Sequence, residues 1–214
     1  MSQDNSSIGG SVAVDPNLPP DPSRRRWVTT ACAVGGVAGV ATAVPFVGSF
    51  APSEKARAAG APVEADISNI PAGQMITVEW RGKPVWILHR TAAQLEGIKK
   101  DNSVVADPDS ARPGFTPAFA KNEFRSRKPE YLVVIGICTH LGCSPTPHLA
   151  PVDGAGLPSP WEGGFLCPCH GSIFDLSGRV YKNKPAPDNL EVPPYTFSAD
   201  GKRITIGADD TSKA

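Results

Sequence analysis

CTHLGC, residues 138–143, puts two cysteines and a histidine inside six residues, and CPCHGS, residues 167–172, follows with two further cysteines and another histidine. The first motif contains Cys-x-His, the second Cys-x-x-His, and each has a cysteine to spare. Working outward, EYLVVIGICTH (130–140) reads as a buried strand that leads straight into the first motif, and GGFLCPCHGSIFDLSGRV (163–180) alternates turns with short apolar pieces around the second. MITVEWRG and PVWILHRT, over 75–91, are strand-like runs with a tight turn at Arg81 to Pro84, and should pair as a hairpin. TAAQLEGIKK (91–100) is the best helical candidate, capped by Thr91. LEVPPYTFSADGKRITIG (190–207) predicts a last hairpin around Asp200 and Gly201. These pieces predict an all-β, antiparallel domain over 67–210 with both motifs on loops at one end, in a subdomain of about 135–187.

Composition agrees. Twenty-three prolines and twenty-one glycines in 214 residues favour turns and short strands over long helices. Twenty-one basic residues balance twenty-one acidic ones, which leaves no electrostatic footprint for nucleic acid.

The first quarter is different. WVTTACAVGGVAGVATAVPFVGSF (27–50) carries no charge over twenty-four positions. As a helix it would reach about 36 Å, enough to cross a bilayer. A cleaved secretory signal is the competing reading, but its apolar region is shorter, no clear small-x-small cleavage site stands just beyond the run, and ATA at 41–43 lies inside it. The run is therefore read as a retained transmembrane helix. Upstream, SRRRWV (23–28) fits either a positive-inside anchor or a twin-arginine export pattern, and this stretch alone leaves the choice open. A cofactor inserted before export would favour the second. The expected layout is a cytoplasmic N-terminus over 1–26, the helix over 27–50 with Pro45 placed to kink its far end, and a flexible linker or hinge, APSEKARAAGAPVEAD, over 51–66. Gly35 and Gly39 form a weak small-xxx-small pair, and Cys32 is simply a small apolar residue of the helix. His89 is expected to be an ordinary side chain exposed on a strand face, and His148, in the proline-rich loop 144–162, is expected not to be a ligand.

Two cysteines and two histidines at these spacings can make a tetrahedral zinc site. That leaves two cysteines over, and an exported domain would oxidise free thiols brought close together. A 2Fe-2S cluster with one iron on two thiolates and the other on two imidazoles uses four as ligands and leaves two for a disulfide.

The two motifs resemble those of the Rieske family, and within it the iron-sulfur subunit of ubiquinol-cytochrome c reductase. WRGKPVWILHRT (80–91), KPAPDNLEVPPY (184–195) and the N-terminal anchor and linker extend the resemblance over most of the chain. It implies one 2Fe-2S cluster, with Cys138 and Cys167 on the inner iron, His140 and His170 on the outer iron, and Cys143 bridged to Cys169. It further implies that Ser172 donates its hydroxyl to a bridging sulfide, that the segment Pro185 to Pro187 covers the cluster, and that Leu141 offers an apolar docking side chain. His170 would accept the quinol hydrogen bond and the proton, so that reduction becomes harder as pH rises. The implied partners are ubiquinol, a membrane cytochrome b subunit and a c-type cytochrome subunit, in a complex expected to be dimeric. The implied location is a bacterial inner membrane, single-pass, with the cluster domain in the periplasm.

Two positions depart from the family pattern. Phe174 stands where many relatives have a tyrosine that bonds a ligand sulfur, which predicts a potential toward the middle of the high range. Lys184 precedes Pro185 where relatives often have glycine, and the loop 144–162 is longer than in mitochondrial relatives. Oxygenase Rieske components and soluble ferredoxins usually lack the Cys143 and Cys169 pair and the anchor. The remaining alternatives are the Rieske small subunit of an arsenite-oxidase-type enzyme and a zinc-stabilised periplasmic binding module.

Overall fold

The computed structural model describes residues 22–54, 56, 60–154 and 156–208. Most of the expected cytoplasmic segment (1–21), four positions of the expected linker and the domain's last two expected residues (209 and 210) lie outside the described residues. The chain divides into two units, Met1–Ser53 and Glu54–Ala214.

The described part of the first unit carries helix α1, Pro22–Gly48, long and apolar enough to cross a membrane. It starts five residues before the expected 27 and takes in Arg24, Arg25 and Arg26, because Pro22 fits the first helical position, where its missing N–H costs nothing. It ends two residues before the expected 50, in a turn closed by Ser49 N donating to Pro45 O at 3.0 Å. Pro45 lies inside the helix, in its last turn. Thr29 and Thr42 return their hydroxyls to the carbonyls of Arg25 and Ala38, so these polar groups are satisfied within the helix.

Among the described residues, the second unit holds three antiparallel sheets of three strands each. Strands β1 (Val63–Asp66), β9 (Arg203–Ile206) and β8 (Tyr195–Phe197) form the first. Strand β1 corrects the expected linker boundary at 66: Ala65 is buried between exposed Glu64 and Asp66, a period-two pattern that four residues are too short to announce. The second sheet runs β2 (Met75–Trp80), β3 (Lys83–His89), β4 (Tyr131–Ile135). Its hairpin turns on Arg81 (φ 53°) and Gly82 (φ 70°), the left-handed pair that a two-residue loop needs to match strand twist. Val85, Trp86, Ile87 and Leu88 are all buried, so the central strand is covered on both faces.

Helix α2, Ala92–Lys100, begins at Thr91, whose side chain accepts from Gln94 N while Gln94 reaches back to the Thr91 amide. The third sheet carries the motifs: β5 (Thr146–His148), β6 (Gly164–Leu166) and β7 (Ile173–Phe174). The long loop is tied down. Trp161 is buried with Val105, Ile173 and Tyr181, Gln94 donates to Leu149 O at 2.6 Å, and a Cβ at Gly97 would come within 2.8 Å of Glu162 Cβ. Glycine at 97 is therefore what lets α2 and this loop pack so closely.

Candidate metal centre

Strand β4 delivers loop one, 138–143, and β6 delivers loop two, 167–172. Each closes with the same two hydrogen bonds. In loop one Cys138 N donates to Cys143 O at 2.7 Å and Gly142 N to Cys138 O at 3.0 Å. In loop two Cys167 N donates to Ser172 O at 2.8 Å and Gly171 N to Cys167 O at 3.0 Å. Gly142 (φ 83°) and Gly171 (φ 70°) supply the left-handed residue that the turn requires.

The turn brings the motif residues together. Cys143 and Cys169 are disulfide-bonded, with Cα atoms 6.7 Å apart. Cys138 and Cys167 are free thiols, both buried, and the two sulfurs are neighbours. Burial pushes the Cys138 thiol above its ordinary range. The imidazoles of His140 and His170 meet edge to face with centroids 4.7 Å apart. His170 is exposed and His140 half-buried, yet His140 Nδ1 is shut off from solvent with no hydrogen-bond partner. A buried ring nitrogen without a partner is costly unless it has a metal to bind. Two adjacent buried sulfurs and two converging imidazoles fit the donor set of a 2Fe-2S group bound by two thiolates and two histidines. The disulfide accounts for the two cysteines that a four-donor site leaves over.

Ser172 is fully buried, and its hydroxyl accepts from Ala186 N at 3.0 Å while bonding the Cys138 sulfur. Thr139 donates its hydroxyl to Asp188 O at 2.6 Å. These two bonds hold the segment carrying exposed Pro185 against both loops. Arg112 reaches the same segment from outside, at Pro187 O. Leu141 is 71% exposed, the most exposed large hydrophobic beyond Phe50 among the described residues. Phe174 is fully buried, with β7 paired to β6.

The two other histidines lie elsewhere. His89 is half-buried rather than exposed, because it stacks on Tyr131 with centroids 4.6 Å apart and its Nδ1 lies 2.7 Å from Ile70 O. His148 lies against Trp161, ring centroids 5.4 Å apart.

Sequence reasoning missed the charged floor beyond loop two. Asp175 and Arg179 are fully buried and paired at 2.7 Å, and the same carboxylate accepts the amides of Ser177 and Arg179. Arg125, 0% exposed, donates to the carbonyls of Ser177, Gly178 and Leu190 and to the hydroxyls of Ser110 and Thr116. Arg90 is held likewise by the carbonyls of Phe124, Pro129 and Leu176 and the hydroxyls of Ser126 and Ser177. Burial lowers both guanidinium pKa values to about 10, so both stay charged at neutral pH. The DLSGR run, an Asx-type turn with an arginine four residues on, was the one available signal.

The fold and the paired Cys/His loops define a Rieske iron-sulfur protein, and the model of the Rieske [2Fe-2S] domain matches residues 118–195. The chain is 53% identical over 189 residues to the ubiquinol-cytochrome c reductase iron-sulfur subunit of Allochromatium vinosum, covering 87% of this chain and 89% of that one. It is 44% identical to the subunit of the same name from Bradyrhizobium diazoefficiens, covering 87% and 95%. Among solved structures, a chain of a hyperthermophilic respiratory Complex III matches at 25% identity with a TM-score of 0.43, covering 83% of this chain and 98% of that one. This chain belongs to the family of ubiquinol-cytochrome c reductase iron-sulfur subunits. Its cofactor is accordingly a 2Fe-2S cluster, and the zinc alternative falls away.

Proposed function

We propose that this chain is the electron-transfer subunit of a quinol-oxidising complex in a bacterial inner membrane. It would take an electron and a proton from ubiquinol and pass the electron to a membrane c-type cytochrome. The observation that carries this reading is one juxtaposition: an exposed imidazole, His170, edge to face with His140 above two buried free thiols, on a tip that also bears the exposed Leu141. Cys138 and Cys167 would hold the inner iron, and His140 and His170 the outer. When bound, the cluster supplies a one-electron acceptor that neutral imidazoles make easier to reduce, roughly −150 to +300 mV against about −400 mV for all-thiolate ligation.

The chain's own residues do the rest. His170 is open to solvent, so it can accept a hydrogen bond from a quinol hydroxyl and then the proton. Leu141 offers apolar contact to a lipid-soluble carrier and the pocket that holds it. The disulfide keeps the two loops from parting, and Pro185 to Pro187 limit water from the side that Ser172 and Thr139 hold down.

The proposed partners are a cytochrome b subunit and a c-type cytochrome subunit in a dimeric complex, and the chain is not a complete enzyme alone. Helix α1 would be the single anchor, with Arg24 to Arg26 on the cytoplasmic side and the sheet-bearing unit in the periplasm. A cofactor inserted before export favours the twin-arginine reading of 23–28. The hinge expected over 51–66 would then fall before β1, in a stretch that lies in part outside the described residues.

Leu141→Glu tests the docking role without touching a proposed ligand. Quinol-dependent reduction of the c-type cytochrome in membranes should fall by about tenfold or more, the cost of burying an unpaired charge in an apolar contact, with the cluster spectrum unchanged. An unchanged rate would remove Leu141 from the contact.

A further inference from the structure

Trp86 lies opposite Val134 in the β3–β4 register, and strand alternation turns its side chain to the face that Gly136, two residues along, also shares. A Cβ at Gly136 would fall inside the van der Waals radii of Trp86 Cε2, Cζ2 and Nε1, so the indole lies directly on that backbone. The same ring stacks on Phe165, with centroids 5.0 Å apart and planes 22° from parallel. Gly136 is two residues before Cys138, and Phe165 is two residues before Cys167. One ring, 5% exposed, thus contacts both segments that lead into the sulfur-bearing loops, and touches each at the same distance in sequence from its cysteine.

The geometry points to Trp86 as a positioning residue that sets the separation of loops one and two. This rests on the ligand assignment proposed above. Packed interiors transmit small changes of volume as displacement, because no free space absorbs them. Backbone closure fixes each loop internally, and the bridge joins them at the tip. At their base, the indole packs against both Gly136 and Phe165.

The test compares four full-length proteins: wild type, Trp86→Phe, Gly136→Ala, and the double variant. Trp86→Phe removes ring atoms that lie over Gly136, and Gly136→Ala places a methyl group where those atoms were. Each single change should displace the g-values of the reduced cluster and shift its midpoint potential. Each should also alter severalfold the rate at which dithiothreitol opens the Cys143–Cys169 bridge in the purified chain. In the double variant the methyl refills the lost ring volume, and all three readouts should move back toward wild type. Wild-type g-values, potential and bridge reactivity in both single variants, with only the melting temperature lowered, overturn the proposal, and Trp86 is then packing alone. A wild-type chain that holds no iron overturns the ligand assignment instead. The bridge kinetics then judge the spacer role by the same pattern.

Discussion

Residues 138–143 and 167–172 close with the same pair of hydrogen bonds, first amide to sixth carbonyl and fifth amide to first carbonyl, and each turns at a left-handed glycine in the fifth place. The first place is a buried free cysteine in both. The loops differ in what the remaining places hold. The histidine is third in loop one, with its Nδ1 buried, and fourth in loop two, where it is exposed. Leu141 takes the fourth place in loop one, and the disulfide joins the sixth place of one loop to the third of the other. One turn type thus presents two chemically different edges, and the bridge uses the places that the imidazoles leave vacant. The ground beneath also differs. Loop one leaves β4, whose Leu132, Val133, Val134 and Ile135 are buried and apolar. Loop two runs through β7 onto Asp175 and Arg179, with Arg125 and Arg90 bonding the turn at 176–178.

Cutting the link between the loops should have the largest effect on stability. Cys169→Ser and Cys143→Ser should each lower the unfolding free energy of the sheet-bearing unit by about 2–5 kcal/mol in denaturant titration, and by similar amounts, since either removes the same bridge. Wild-type stability in both would show that backbone closure alone holds the tip.

Next comes the polar anchoring of the proline segment. Ser172→Ala strands the buried Ala186 amide and should cost about 1–3 kcal/mol, whereas Thr139→Val, which frees only a half-buried carbonyl, should cost less. Equal losses on thermal melting would erase this distinction between the loops.

Phe174→Tyr sharpens the comparison electrically, because position 174 follows loop two alone. If the new hydroxyl reaches a ligand sulfur, a bond worth about 1 kcal/mol more in the reduced state raises the midpoint potential by about 40 mV. An unchanged potential in a folded variant would contradict the expectation that Phe174 keeps it in the middle of the range.

The last test is read against pH rather than as a single loss, and concerns Asp101, which faces the Asp175 and Arg179 charges of the floor. Burial, with Asp175 nearby, raises the Asp101 carboxyl from 3.8 to about 6. The folded state therefore binds this proton more tightly than the unfolded state, so the stability that Asp101 contributes is fully present below about pH 4 and lost as pH rises through 6. Asp101→Asn should flatten that part of the stability profile between pH 4 and 6. A slope identical to wild type would mean that Asp101 titrates normally.

Much of this could be read from residues alone, where local chemistry decides. Thr91 announces a cap, Arg81 to Pro84 a hairpin turn, and two Cys/His motifs a shared site. What stayed hidden depends on distant partners. Strand β1 is a strand only because β9 pairs with it, and His89 is half-buried only because Tyr131 and Ile70 O lie beside it. The arginine floor was illegible because its acceptors are mostly backbone carbonyls, which every sequence possesses. Lys184 is half-buried beside exposed Pro185, and nothing in the structure explains why lysine stands there.

The most direct test is an iron and sulfide analysis of the full-length protein combined with a redox titration followed by electron paramagnetic resonance. Two thiolates and two imidazoles on one cluster predict coloured protein whose signal appears on reduction within roughly −150 to +300 mV. Colourless protein with a single zinc ion, or a cluster titrating near about −400 mV as all-thiolate ligation would, contradicts the assignment.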